Sequence, residues 1–462
     1  MNKLNNLLLL ICLFMSITVS AKVPKYIFYF IGDGMGLNQV NGTEMYLASL
    51  KGIYGVESLT FTKFPYVGMA TTFSASSGVT DSAAAGTALA TGHKTYNGAI
   101  GVSADTIPVQ SIAVDAKRRG YKVGITSSCS LDDATPSVFY SHQKSREYGY
   151  EIASDLLSSE FDFFAGSPFS NLTKRMDGSD APNLLPLMKG KGYNIVYGYK
   201  EYLAKAKDSE KVILLSNETE PVPVRIDRKE GDISLKQITQ SAIQTLSKNN
   251  KNGFFLMVEA GDIDRGGHAN DAGTCFREVI DLNEAVNVAM EFYNKHSDET
   301  LIVVTADHET GGIVIGDGYT NLQVLQYQKA SKKTLSMMLA ELRNNNKQVT
   351  WEQVKQLLSD NLGFWSKIKL KERQEKYIHD AYVRTFIDGD QSKDITLYQK
   401  DEKVSSAAIK VLNEIAAVGW TTGSHSAGYV PVFAIGQGAE EFVGKYDNTQ
   451  IPAKIRKIAK FK

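Results

Sequence analysis

The sequence has no excess of charge of either sign. It holds 51 lysine and arginine residues and 51 aspartate and glutamate residues in 462 positions, so its formal net charge at pH 7 is zero. Proteins that bind nucleic acids or anionic membranes usually carry a surplus of basic residues. We therefore expect no nucleic-acid-binding surface, and any affinity for a phosphate group must come from a local site.

Cysteine is also scarce. The chain has three cysteines, and Cys12 lies in an N-terminal stretch that we expect to be removed. The mature chain would keep Cys129 and Cys275, so at most one disulfide could form. A sequence cannot show that two Cα atoms lie close enough to be bridged, and we favour free thiols.

Long apolar runs are absent except at the N-terminus. The run at residues 7–19 follows Lys3 and ends in Ser20-Ala21, a pattern typical of a cleaved signal peptide over residues 1–21. The run is too short to anchor the protein in a membrane. We therefore predict an exported protein, periplasmic or secreted, without a membrane span.

Short apolar strands alternate with amphipathic helices through most of the chain. The run at residues 26–31 (YIFYFI) is apolar throughout, which is typical of a strand buried on both faces. This alternation predicts an α/β fold, a three-layer sandwich with a large, mainly parallel central sheet flanked by helices. Further strands are predicted at 66–73, 121–126, 161–164, 194–197, 212–215, 254–258, 301–304 and 430–435, and helices at 109–119, 136–146, 233–246 and 276–293.

Residues 317–418 differ in composition from the rest of the predicted domain, residues 22–462. They are rich in Lys, Glu and Gln and show helical periodicity at 335–342, 351–358 and 371–385. We predict that they form a mostly helical cap, called the inserted region below, between two sheet-forming segments and near the mouth of the site. The alternative is that they are simply the last part of the same domain.

A possible nucleophile lies at Ser82. It opens the segment Ser82-Ala83-Ala84-Ala85, which should be helical because alanine has the highest helix propensity. The unpaired N–H groups and the dipole at a helix N-terminus favour an anion there. The simpler interpretation is that Thr80, Asp81 and Ser82 only cap the helix.

Acidic and histidine residues follow several predicted strands directly. Asp33, Glu259 and the pair Asp307-His308 each come at a strand end, and ligands of open α/β sheets bind at the carboxyl ends of the strands. The glycine pair at 266–267 lets the backbone curl, so that Asp264 and His268 can point to one place, and His425 lies in another loop of small residues. Several buried carboxylates in one cleft require cations, with mixed His and Asp ligands suiting zinc and oxygen ligands suiting magnesium.

Several short motifs stand in a fixed order along nearly the whole mature chain. They are Gly32-Asp33-Gly34-Met35-Gly36, Thr80-Asp81-Ser82-Ala83, Lys94-Thr95-Tyr96-Asn97-Gly98, Asp133-Ala134-Thr135-Pro136, Ser145-Arg146, Val258-Glu259 with Asp264 and His268, Thr305-Ala306-Asp307-His308, and Gly423-Ser424-His425. Taken together, they resemble the alkaline phosphatase family.

The resemblance implies a role for each matching residue. Ser82 would be the nucleophile, Arg146 the bidentate clamp on the phosphate, and Asp81 the residue that orients Arg146. Asp33 would bind both the second zinc ion and the magnesium ion. The implied metal ligands are Asp264, His268 and His425 for the first zinc, Asp33, Asp307 and His308 for the second zinc, and Asp33, Thr135 and Glu259 for the magnesium.

One position departs from the family pattern. Arg265 directly follows the predicted ligand Asp264, where family members usually carry Lys or His. We predict that Arg265 pairs with Asp133 and contacts bound phosphate through water. The alternative is an arginine that points into solvent.

The implied activity is the hydrolysis of phosphate monoesters through a phosphoserine. Its small-molecule substrates would be recognised mainly by their phosphate group, and the resemblance is compatible with a homodimer. Two other functions are weighed: a phosphodiesterase of the same superfamily, and a protein that binds phosphate or metal without turnover. Arg146 and the complete magnesium triad argue against the diesterase, and an intact Ser82 beside an intact ligand set argues against the binding protein.

Overall fold

The computed structural model describes residues 23–316, 319–346 and 348–461. The predicted signal peptide, residues 1–21, lies outside these ranges. Within them, no helix is both long enough and apolar enough to pass through a bilayer. The strands are β1 (Tyr26–Gly32), β2 (Tyr66–Thr71), β3 (Lys122–Ser130), β4 (Phe163–Ser167), β5 (Asn194–Tyr197), β6 (Val212–Leu215), β7 (Phe254–Ala260), β8 (Thr300–Ala306), β9 (Glu309–Thr310), β10 (Ile313–Ile315), β11 (Asp394–Ile395), β12 (Lys400–Asp401), β13 (Val418–Trp420), β14 (His425–Ser426), β15 (Val430–Gly436) and β16 (Gly444–Asp447).

Helices connect and cover these strands. They are α1 (Leu37–Leu50), α2 (Ser82–Thr91), α3 (Ile112–Arg118), α4 (Ala134–Ser137), α5 (Gly149–Ser159), α6 (Leu184–Gly190), α7 (Gly198–Glu201), α8 (Leu235–Ser247), α9 (Asp262–His268), α10 (Ala272–Tyr293), α11 (Lys332–Asn345), α12 (Trp351–Leu362), α13 (Glu372–Tyr382), α14 (Lys403–Ala416) and α15 (Gln450–Ala459).

A ten-stranded sheet forms the centre of the molecule, in the order β16-β2-β15-β8-β1-β7-β3-β4-β6-β5. Strand β15 is antiparallel to both of its neighbours, and the other neighbouring pairs are parallel. The predicted large, mainly parallel sheet flanked by helices is therefore confirmed.

The middle strands are buried on both faces, as their apolar sequences predict. Every residue of β7 and β8 is buried, as are residues 27–32 of β1. Gly32 at the end of β1 lies opposite Ala260 of β7 and Ala306 of β8. The carboxyl ends of the three strands are thus level, so that the residues following them start from one edge of the sheet.

Short antiparallel pairs bring distant segments to this edge. In the pair of β9 and β14, His425 lies opposite Thr310, three residues after Asp307. In the pair of β10 and β13, Ile315 lies opposite Val418, so the chain enters and leaves the inserted region at neighbouring positions.

The inserted region has a hydrophobic cluster of its own. Helices α11 to α14 contribute buried apolar side chains such as Leu339, Leu358 and Leu412, which pack together with Tyr46 of α1 and Phe276 of α10. The helices therefore sit against the helical layer of the sheet. The domain boundaries given from the sequence stay a prediction.

One predicted helix is much shorter than expected. The helix predicted over 136–146 is only the four-residue α4, Ala134–Ser137. The chain after it pairs with an earlier loop instead: the Gln143 and Ile100 backbones exchange hydrogen bonds of 2.8 and 2.9 Å, and the Arg146 N–H donates to the Gly98 carbonyl at 2.7 Å. These bonds hold Arg146 in a loop.

Candidate metal and phosphate site

Ser82 is the first residue of α2, and the cap of this helix is Asp81. The Asp81 carboxylate accepts a hydrogen bond from the Ala84 N–H at 2.9 Å. Capping is therefore done by Asp81, and the Ser82 hydroxyl lies elsewhere, 3.2 Å from Nε2 of His308. This places a buried serine hydroxyl beside the predicted metal ligands at the positive end of a helix.

Asp33 and Asp307 directly follow β1 and β8, whose ends are level, and their side chains lie close to that of His308. One ligand atom from each of the three lies within 4.8 Å of the others. The backbone N–H groups of Gly34 and His308 donate to Oδ1 of Asp307 at 3.1 and 2.9 Å. These bonds fix the orientation of the Asp307 carboxylate.

Asp264 and His268 lie one turn apart on α9. The glycine pair between them does more than permit a curl, because the helix packs very closely there: a Cβ at Gly266 would lie 2.9 Å from Cα of Cys275, and one at Gly267 would lie 2.9 Å from Cγ2 of Thr310. Nε2 of His268 is 3.3 Å from the Asp264 carboxylate.

His425 lies close to Asp264 and His268, and the three residues form a second group beside that of Asp33, Asp307 and His308. Its Nε2 lies 3.1 Å from Nε2 of His268 and 3.5 Å from Oδ1 of Asp264. Ligand atoms of Asp264, His308 and His425 also lie within 4.8 Å of one another, so His308 stands between the two groups. Which ion each residue binds stays a prediction.

Two of the imidazoles are oriented by backbone carbonyls. Nδ1 of His268 lies 2.7 Å from the Gly423 carbonyl, and Nδ1 of His425 lies 2.8 Å from the Thr80 carbonyl. A carbonyl can only accept, so each Nδ1 carries the proton and donates it. The lone pair is then on Nε2, which points into the cluster as a metal ligand requires.

Unpartnered polar atoms mark this place as suited to cations. Asp33 Oδ1, Asp264 Oδ2, Asp307 Oδ2 and Thr135 Oγ1 are buried and have no hydrogen-bond partner. Buried polar groups are normally satisfied, and leaving a carboxylate without a partner is costly. All four are predicted metal ligands, so the residues present fit bound divalent cations.

The crowding of charge also fits cations. Burial and the nearby Asp307 carboxylate raise the pKa of Asp33 well above its ordinary value. Burial and the Asp264 charge raise the pKa of Asp307 to about 7. Burial and the Asp133 charge raise the pKa of Glu259 to about 8. Asp264 is the exception, because its histidine neighbours, when they are protonated, outweigh burial and lower its pKa.

Glu259 and Thr135, the predicted magnesium ligands besides Asp33, come from two other elements. Glu259 is in β7, where its carboxylate accepts a hydrogen bond from Ser127 of β3. Thr135 is in the first turn of α4. Both are buried. The negative charge of Glu259 adds to the causes that raise the pKa of Asp33, after burial and the charges of Asp307 and Asp264.

Asp133 lies between two arginines. Arg146 Nη2 donates to Oδ1 of Asp133 at 3.0 Å, and Arg146 Nη1 lies 3.5 Å from Oδ2 of Asp81. Arg265 Nη2 lies 3.7 Å from Oδ2 of Asp133, and its Nη1 lies 3.4 Å from Asp262. The structure therefore brings Arg265 and Asp133 together, as predicted, and adds Asp133 as a partner of Arg146.

Several residues at the site were not identified from the sequence. Thr310 donates to Asp264 and lies 3.2 Å from Nδ1 of His308. Thr310 lies two residues after the Asp307-His308 motif, and this closeness in sequence could have identified it as a residue of the site. Tyr398 of the inserted region contacts His268 edge-on, and no motif surrounds it. Cys129 and Cys275 are buried free thiols, as favoured from the sequence.

Comparison with known proteins gives consistent results. The family model described as alkaline phosphatase matches residues 24–461. Alkaline phosphatase 3 of Bacillus subtilis is 33% identical over 447 residues, covering 95% of this chain and 89% of that protein. The cold-active alkaline phosphatase of a psychrophilic Shewanella superposes with a TM-score of 0.78 at 30% identity, covering 94% of this chain and 99% of that one. A TAB5 alkaline phosphatase mutant solved with Mg bound in its M3 site has a TM-score of 0.67 at 30% identity, with coverage of 96% and 99%.

Proposed function

Because the chain belongs to the alkaline phosphatase family, we propose that this phosphomonoester hydrolase works through a phosphoserine at Ser82, with two zinc ions and one magnesium ion. One observation carries the proposal. The buried Ser82 hydroxyl lies 3.2 Å from His308, beside the unpartnered ligand atoms of Asp33, Asp264 and Asp307. A nucleophile and cation ligands are thus side by side at a helix N-terminus.

The metal ions would be held by the residues whose ligand atoms are unpartnered or oriented toward the cluster. Bound there, the two zinc ions would stabilise the charge that develops on the attacking and leaving oxygens. We propose Asp264, His268 and His425 for the first zinc, Asp33, Asp307 and His308 for the second zinc, and Asp33, Thr135 and Glu259 for the magnesium.

The arginine would hold the phosphoryl group. Arg146 presents a planar fork that matches two non-bridging phosphate oxygens, and Asp133 and Asp81 fix its orientation at 3.0 and 3.5 Å. Arg265, 3.7 Å from Asp133, would contact the phosphate through water. The alcohol portion of the substrate is not needed for these contacts, so broad specificity for phosphate monoesters follows.

Ser82 would carry the phosphoryl group between two displacements. Its oxygen bonds to phosphorus as the bond to the alcohol oxygen breaks, and the serine proton passes to solvent while the alcohol gains one. Water then attacks phosphorus, releasing inorganic phosphate and restoring the serine hydroxyl. Both steps proceed at the same phosphorus atom, held by the same arginine.

The test compares a chromogenic phosphate monoester with the matching diester, with bound metals quantified in the same samples. We expect turnover of the monoester to exceed that of the diester by several orders of magnitude, with zinc and magnesium both present. Acid quenching should trap phosphate covalently on the peptide that contains Ser82. A preference for the diester would favour the phosphodiesterase, and stoichiometric phosphate binding without turnover would favour the binding protein.

We also propose three further properties. Residues 1–21 would be a cleaved signal peptide that exports the protein to the periplasm or medium. The inserted region, residues 317–418, would cap the mouth of the site and affect access more than chemistry. The protein would be able to form a homodimer, which sedimentation of the mature chain tests directly.

A further inference from the structure

Tyr398 is where the inserted region touches the predicted metal and phosphate residues. It lies on the hairpin between β11 (Asp394–Ile395) and β12 (Lys400–Asp401). Its ring and the imidazole of His268 make a T-shaped contact, with centroids 5.2 Å apart and planes at 78°. The guanidinium of Arg265 lies over the same ring, 5.3 Å from its centroid. Tyr398 thus contacts two residues of α9: His268, a predicted metal ligand, and Arg265, which is predicted to contact bound phosphate through water.

The base of this hairpin is fastened to the chain that follows His268. Asp401, 1% exposed, pairs with Lys332 Nζ at 3.2 Å. The same Nζ donates to the carbonyl of Ala269 at 3.2 Å. The next residue, Glu402, pairs with Arg343 and Lys393. The hairpin is therefore held to α9 at both its base and its tip, and Tyr398 keeps a fixed place relative to that helix.

Arg265 is held on several sides. Its two Nη atoms lie 3.4 Å from Asp262 and 3.7 Å from Asp133, and its Cζ atom lies over the Tyr398 ring. Both carboxylate distances exceed the usual length of a charge-assisted hydrogen bond, so the two carboxylates alone do not fix the plane of the guanidinium. An aromatic face does restrict it, because a cation is attracted to the ring.

We propose that Tyr398 is a positioning residue for phosphate: its ring holds the Arg265 guanidinium toward Asp133, and the inserted region thereby sets the affinity of the site for phosphate. The inference rests on the proposed function, since it takes Arg265 to act on bound phosphate. We expect the aromatic ring to be the part that acts, because the ring makes the contacts with His268 and Arg265. If Tyr398 only filled space, replacing it would change the stability of the protein and not its affinity for phosphate.

The experiment measures competitive inhibition by inorganic phosphate in the holoenzyme. Tyr398→Ala and Tyr398→Leu should weaken inhibition about 5-fold, which is the size of a cation–π contact of about 1 kcal/mol. Tyr398→Phe keeps the ring and should stay within about twofold of wild type by the same reasoning. Leu397→Ala, a change at an exposed neighbour on the same hairpin (62% exposed), is the matched control and should have no effect. Tyr398→Leu keeps an apolar side chain in place should Tyr398→Ala fail to fold.

A double-mutant cycle with Arg265→Ala separates positioning from filling. In the Arg265→Ala background, Tyr398→Leu should cause no further loss of phosphate affinity, since residues that act through one contact are not additive. Equal losses in both backgrounds, unchanged inhibition in Tyr398→Leu, or loss of a bound metal ion in that variant would each overturn the proposal. Failure of the proposed function looks different, because the wild-type protein itself would then neither hydrolyse monoesters nor be inhibited by phosphate.

Discussion

The edge of the central sheet and the inserted region contribute to the same site in different ways. At the sheet edge, β1, β7 and β8 are buried on both faces and end level with one another, so backbone register alone brings Asp33, Glu259 and Asp307 together. In the inserted region, helices pack through a separate hydrophobic cluster, and Tyr398 on a short hairpin meets the site. The sheet thus positions the predicted ligand residues, and the inserted region places an aromatic side chain beside them.

The difference explains which parts of a site can be changed without losing the reaction. A ligand at a strand end depends on several fully buried strands and cannot shift alone. A hairpin fastened by ion pairs such as Asp401 with Lys332 can change its tip residue while its base stays in place. We therefore expect substitutions at the sheet edge to abolish turnover and those in the inserted region to change affinity.

The largest effect should come from the same substitution made in both regions, Ser82→Ala and Ser392→Ala. Ser82→Ala removes the proposed nucleophile and should lower kcat on the order of 10⁴-fold or more. Ser392 is exposed in the inserted region, and its substitution should leave kcat unchanged. Steady-state kinetics with a chromogenic monoester, on samples with equal metal content, is the measurement. A Ser82→Ala variant that keeps its activity would place the nucleophile elsewhere.

These two regions were not equally predictable from the sequence. Strands such as β5 and β6 were predicted with their observed bounds, because apolar runs bounded by turn residues fix a strand locally. Ser82 was expected at a helix start, and it is the first residue of α2. At the sheet edge, Asp33 and Asp307 come directly after β1 and β8, and Glu259 is the second-last residue of β7, so that local patterns suffice.

Other contacts between distant segments, unlike that of Arg265 with Asp133, could not be predicted from the sequence. The pairing of Arg146 with Asp133 depends on the Gln143 segment leaving the short helix α4 to pair with Ile100. Tyr398 meets His268 through the fold of a hairpin that no motif marks. In both examples the contact depends on tertiary structure, and composition or periodicity near the residue carries no record of it.

A second comparison of the regions concerns metal binding. Asp307→Asn removes the charge of a proposed metal ligand in a buried group of carboxylates and should lower the bound metal by about one ion per chain, with kcat falling about 100-fold or more. Asp360→Asn changes an exposed carboxylate of α12 and should alter neither. Metal content of the purified variants, determined by elemental analysis, checks both. Full occupancy in Asp307→Asn would refute the ligand assignment.

The stability of the two regions can be compared with one kind of substitution. Leu256 of β7 and Leu358 of α12 are both fully buried, and replacing either by Ala should cost about 2–5 kcal/mol. Leu256→Ala should lower the midpoint of global unfolding. Leu358→Ala should mainly increase hydrogen exchange and proteolysis within α11 to α14, with kcat for a small monoester nearly unchanged. An equal rise in exchange across both regions would show that they unfold as one unit.

The smallest effect concerns Tyr202, which lies outside the inserted region, and its contribution to stability at alkaline pH. Tyr202 is fully buried, and its hydroxyl donates to the Ser241 carbonyl of α8 at 3.0 Å. Burial raises the pKa of Tyr202 to about 12, whereas an unfolded tyrosine titrates near pH 10. Between about pH 10 and 12 the unfolded chain therefore releases a proton that the folded chain keeps, so the free energy of unfolding falls as pH rises.

Tyr202→Phe should be less stable by about 1 kcal/mol at pH 8, because the Ser241 carbonyl loses its donor. That deficit should shrink above pH 10, since phenylalanine cannot ionise and the other buried tyrosines are common to both proteins. Urea unfolding at pH 8 and pH 11.5 measures the difference, and a deficit of constant size would show that Tyr202 does not resist ionisation in the folded protein.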